Sequence, residues 1–141
     1  MRARVPTRVV KATVFRQASI ERLLDAKCLR DAGRFQGAIY LCGYALECQL
    51  KATVCMARRV ESLEEREAKK LGHELAHVLR AARLVEKLGE NEDLRIAFQR
   101  IANRWSTGIR YSGGRSNKQD CDRFIGDSED LLSWLKTASK W

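Results

Sequence analysis

The stretch from Arg34 to Arg58, RFQGAIYLCGYALECQLKATVCMAR, constrains this chain more than any other. It contains no proline, and its apolar residues go nearly all the way round a helical wheel. A helix of that kind must be enclosed by other elements, because it has no broad wet face. The rest of the chain has to supply those neighbours, and 141 residues suffice for one such domain. The only proline is Pro6, so nothing downstream of it forces a helix to break. One narrow stripe on the central helix is polar. Gln36, Tyr40, Gly43, Glu47 and Lys51 follow one another at spacings of four, three, four and four, and so share a face. Glu47 precedes Lys51 in the favourable i,i+4 order. The seam is either an ordinary solvated edge or a strip that meets a site or a partner.

The neighbours read as helices too, with no period-two alternation and no hairpin dipeptide anywhere. A first helix is expected over about 13–32, with Ile20, Leu23, Leu24, Cys28 and Leu29 inward and Gly33 closing it. Ser62 and Glu65 form a capping-box pattern in the charged segment ESLEEREAKKLG, which Gly72 can end. A third core helix is expected over about 73–88, burying Leu75, Val78, Leu79, Ala82, Val85 and Leu88. Asn91 can cap a fourth over about 92–106, with Leu94, Ala97, Phe98, Ile101 and Trp105 inward. STGIRYSGGRSN reads as a loop, and a fifth helix over about 117–138 buries Cys121, Phe124, Ile125, Leu131, Leu132 and Leu135. The expectation is all-α: a four- to five-helix up-and-down bundle over 13–141, preceded by a basic N-terminal arm, 1–12.

A formal charge of +9 favours an anionic partner such as nucleic acid, nucleotide or an acidic protein surface, although it also serves plain solubility. No stretch reaches the ~20 apolar residues that a membrane span needs, and the basic N-terminus lacks the apolar core of a signal peptide. A cytoplasmic location and no membrane partner are expected. The five cysteines are odd in number and have no C-x-x-C spacing, so they read as small buried hydrophobes.

The segment LGHELAHVL contains His73-Glu74-Leu75-Ala76-His77, the H-E-x-x-H pattern of zinc peptidases. It fails on other grounds. On a helix centred on Leu75 both histidines fall about 160° from the apolar face, beside Arg80 and Lys87. Those cations oppose a metal ion. A catalytic zinc needs a third protein ligand, and there is no third histidine. No metal and no cofactor are expected.

Residues 33–52 carry a different pattern. Ala38, Tyr40, Leu41, Gly43, Tyr44, Ala45, Glu47, Leu50, Lys51 and Ala52 fall in register with A-x-Y-L-x-G-Y-A-x-E-x-x-L-K-A. This resembles the second helix of HEPN domains, small all-α nucleotide-binding domains. His73-Glu74-Leu75 matches the H-E-L that often starts the next core helix, and Trp105 with Arg110 and Tyr111 matches the end of the following one. The resemblance implies the fold. It also implies a metal-independent ribonuclease motif, R-x(4–6)-H, or in its longer form R-x4-H-x-Y. Arginine there stabilises charge on the scissile phosphate and histidine moves the proton. This chain keeps Arg104 and Tyr111, but Ile109 stands at the histidine position. Isoleucine cannot carry a proton.

The expected function is therefore a non-catalytic module of this type. It would bind RNA, a nucleotide or a partner protein, such as a nucleotidyltransferase in a toxin–antitoxin or defence system. A ribonuclease using Arg104 and Tyr111 in a substituted motif is the alternative, and a zinc peptidase a remote one. Six cations and no acid lie between Leu94 and Gln119; of these, Arg100, Arg104, Arg110, Arg115 and Lys118 are candidate phosphate ligands, with the Gly113 and Gly114 amides beside them. Tyr40, Glu47, Lys51 and His73 form the candidate polar seam. Such domains commonly pair, so a homodimer is expected with the 100–118 segments near its two-fold axis.

Overall fold

The computed structural model describes residues 8–105, 109 and 116–139. Among these, seven helices and one short two-stranded sheet appear. Helix α1 (Ala12–Asp31) and helix α2 (Phe35–Arg58) form an antiparallel pair, and Gly33 turns the chain between them at φ +77°, a value that favours glycine. Strands β1 (Val9–Lys11) and β2 (Ser62–Glu64) pair antiparallel, Val10 opposite Leu63. Short helices α3 (Glu65–Leu71), α4 (Leu75–Ala81) and α5 (Val85–Gly89) follow. Helices α6 (Glu92–Arg104) and α7 (Lys118–Ala138) complete the bundle. Asn91 caps α6 by accepting from the Leu94 amide, and Asn117 caps α7 by accepting from that of Asp120.

Helix α2 sits in the middle, with α1, α4 and α7 packed on it. Ile39, Leu46, Leu50 and Val54 are fully enclosed, as a helix apolar on nearly all sides requires. The apolar faces expected of α6 and α7 are also inward: Ala97, Phe98, Ile101 and Trp105 on one side, and Cys121, Phe124, Ile125, Leu131, Leu132 and Leu135 on the other.

Three expectations are corrected. Helix α1 turns a different face inward: Ala12, Phe15, Ser19 and Ala26 are buried, while Ile20, Leu24 and Cys28 are exposed. Leu23 and Leu29 pack partly buried against the core as expected, and the Ser19 hydroxyl donates to the Ala45 carbonyl of α2 at 2.7 Å. Ser62 does not cap a helix; it belongs to β2, and the end of the N-terminal arm is tied down by the β1–β2 ladder. The expected helix over 73–88 is two helices. Arg83 takes φ +60° between them, and the break rotates Val85 out to solvent.

Candidate functional site

The polar stripe of α2 becomes one continuous track, covered along part of its length by Trp105. Gly43 makes this possible. A Cβ at Gly43 would collide with the Trp105 indole, so only glycine lets the ring lie flat against the helix. The indole Nε1–H then donates to the Tyr40 carbonyl at 2.9 Å. Tyr44 meets the indole edge-on with ring centres 5.3 Å apart. The two tyrosine hydroxyls, one helical turn apart, are 2.9 Å from each other.

At one end of the track Arg104 donates to the Ser116 hydroxyl, which donates to the Gln36 side-chain carbonyl at 2.6 Å. The Gln36 amide donates to the Ile109 carbonyl at 3.0 Å. Gln36 thus ties Ile109, Ser116 and, through Ser116, Arg104 in the last turn of α6 to the first turn of α2. Arg104 stays exposed at the rim of a cleft of about 180 Å³ whose floor is Ile101 and Phe124. Arg100, Arg123, Asp120 and Asp127 surround it.

At the other end Glu47 and Lys51 are buried, 4% and 7% exposed. The Lys51 ammonium lies 3.2 Å from one Glu47 oxygen, and His73 Nδ1 lies 2.7 Å from the other. A buried carboxylate is tolerable only with such partners. His73 is held edge-on against Tyr44 and keeps 49% of its side chain exposed. It lines a second, larger cleft with Leu75, Ala76, Ala102 and Trp105.

The expected phosphate ligands are placed as follows. Arg104 is exposed and lines the smaller cleft. Arg100 is engaged by Asp127 through two hydrogen bonds of 2.8 and 2.9 Å, and that partner raises its pKa. Lys118 is exposed in the first turn of α7. Arg110, Tyr111, Gly113, Gly114 and Arg115 lie outside the described residues. Ile109, at the position of the missing histidine, is 5% exposed and belongs to the core cluster. Sequence reasoning overlooked Ser116 and Arg123. Arg123 falls beyond the acid-free run that drew attention to its neighbours, and Ser116 looked like ordinary loop.

The H-E-x-x-H pattern does not form the helical pair it needs. Helix α4 begins at Leu75 with Glu74 as its N-cap, so His73 lies before the helix and His77 within it. His73, which a helical wheel turns outward, instead reaches back to Glu47. Among the described residues no group of three or more His, Cys, Asp and Glu is arranged to hold a metal, and no helix is long and apolar enough to cross a membrane. Cys42, Cys55 and Cys121 are buried as expected, and burial pushes the Cys42 thiol up to about 12, but Cys28 is exposed.

A family model described as HEPN domain matches residues 12–138. No curated protein and no solved structure matches the chain.

Proposed function

The chain belongs to the HEPN family, and from that premise we propose a non-catalytic HEPN-type module that binds RNA or nucleotide phosphates through the cations around Arg104. One observation carries the reading. The position that would hold a proton-shuttling histidine is Ile109, and its side chain is spent in the core. Arg104 remains beside it, exposed and oriented by Ser116 and Gln36. An arginine without a proton donor can grip phosphate but cannot complete general acid–base cleavage. Arg123 and Lys118 extend the cationic surface on α7. Such a module acts in the cytoplasm as a homodimer with the 100–118 segments at the two-fold axis. A nucleotidyltransferase of a toxin–antitoxin or defence pair is the partner protein this reading favours.

Titration with labelled single-stranded RNA at roughly 50 and 200 mM salt tests it, because phosphate contacts make affinity salt-dependent. Binding is expected to weaken steeply with salt, with the RNA intact afterwards. Arg104→Ala should lower the slope of log affinity against log salt by about one contact. Absence of salt-dependent binding removes the nucleic-acid reading. The Arg104 side chain, bonded to Ser116, favours ribonuclease activity as a second reading, and RNA cleavage abolished by Arg104→Ala would establish it instead.

A further inference from the structure

We propose that the cleft between the start of α4 and the end of α6 is a pocket for one unpaired nucleobase of a bound RNA strand, an inference that rests on the RNA-binding reading above. The cleft measures about 460 Å³. Its walls are apolar, supplied by Leu75, Ala76, Ala102 and Trp105. Three polar side chains line it, His73, Glu74 and Asn103. Apolar walls with a few fixed polar groups are what a flat heterocycle requires.

The chemistry of His73 selects what enters. Glu47 and Lys51 are nearly fully buried, and their charges offset each other at 3.2 Å. The second oxygen of Glu47 can only accept, so His73 Nδ1 donates to it across 2.7 Å. In the neutral imidazole Nε2 is then left with its lone pair, and about half of the side chain is exposed. That nitrogen takes a donor, such as an exocyclic amino group or a ring imide N–H. The Asn103 amide offers a donor and an acceptor nearby. Phosphate presents acceptors only, and the Glu74 carboxylate in the lining repels it. A base edge, with donors and acceptors side by side, matches these groups better than a phosphate does.

Location ties the pocket to the cationic cleft. Ala102 and Asn103 face the pocket, whereas Arg100 and Arg104 face the other cleft. The two sites therefore flank the last turn of α6, which is about 10–12 Å across with its side chains. One strand can lay a phosphate on Arg104 and turn a neighbouring base toward His73.

Fluorescence anisotropy with a mixed-sequence single-stranded RNA and an abasic ribose-phosphate strand of equal length tests the proposal. His73→Ala and Asn103→Ala should each weaken the mixed RNA about tenfold, the scale of one lost base contact. Neither should change the salt slope or binding of the abasic strand. Asn103 is exposed, so its variant keeps the test clear should His73→Ala disturb Glu47. Parent-like RNA binding by Asn103→Ala and His73→Ala, with Arg104→Ala still weakened, would overturn the pocket and leave the phosphate reading standing. Equal loss on both strands would also overturn it, since His73 would then touch backbone. If the unaltered protein binds neither strand, both readings fall together.

Discussion

The two ends of the α2 seam use charge in opposite ways. At the His73 end a carboxylate and an ammonium are withdrawn from water and satisfied by one another and by an imidazole. At the Arg104 end the guanidinium is held by neutral groups, Ser116 and through it Gln36, and its charge stays available to solvent. The first arrangement neutralises charge inside the bundle; the second displays it. Trp105, between them, keeps the two apart by lying on Gly43. The difference teaches that a polar stripe on a central helix need not be one site. One end closes its charges on one another inside the bundle, and the other leaves a guanidinium exposed.

Substitutions separate the halves, beginning where the effect is greatest. Glu47→Ala leaves Lys51 buried without its partner and should cost about 3–5 kcal/mol in urea unfolding. The pair Glu47→Leu with Lys51→Met should recover most of that loss, because an apolar pair avoids the desolvation. Recovery of nothing would mean that His73, rather than Lys51, carries the burden.

Gly43→Ala drives a methyl group into the indole and should cost about 1–3 kcal/mol. A midpoint unchanged from the parent would show that Trp105 can be displaced without penalty. Trp105→Phe keeps most of the ring but removes the hydrogen bond to Tyr40. A loss of at least about 0.5–1.5 kcal/mol is expected from that bond alone. Arg104→Ala, at the displayed end, should move stability by less than about 0.5 kcal/mol while reducing RNA affinity. A large drop in its melting temperature would place Arg104 with the buried half and blur the contrast.

Much of the fold was legible in the chain. The enclosed character of α2, the capping asparagine at 91, and the inward faces of α6 and α7 all follow from local periodicity and side-chain chemistry. Helix α1 was read only in part: Leu23 and Leu29 pack against the core, but Ile20 and Leu24, equally apolar, are exposed while Ser19 is buried on a hydrogen bond to α2. Hydrophobicity alone does not record that choice. The sheet was invisible because three-residue strands carry too few alternations to show a period.

The candidate site divides in the same way. The identity of the seam residues, the loss of a histidine at Ile109 and the retained Arg104 are matters of sequence, since spacing along a helix sets which side chains share a face. Tertiary structure alone decided what those side chains meet. His73 leaves the helix it was expected to start and reaches Glu47, 26 positions away in the chain. Gln36 bonds the Ile109 carbonyl from 73 positions away. Such pairings depend on how the helices cross and where the chain turns, and a one-dimensional pattern holds neither.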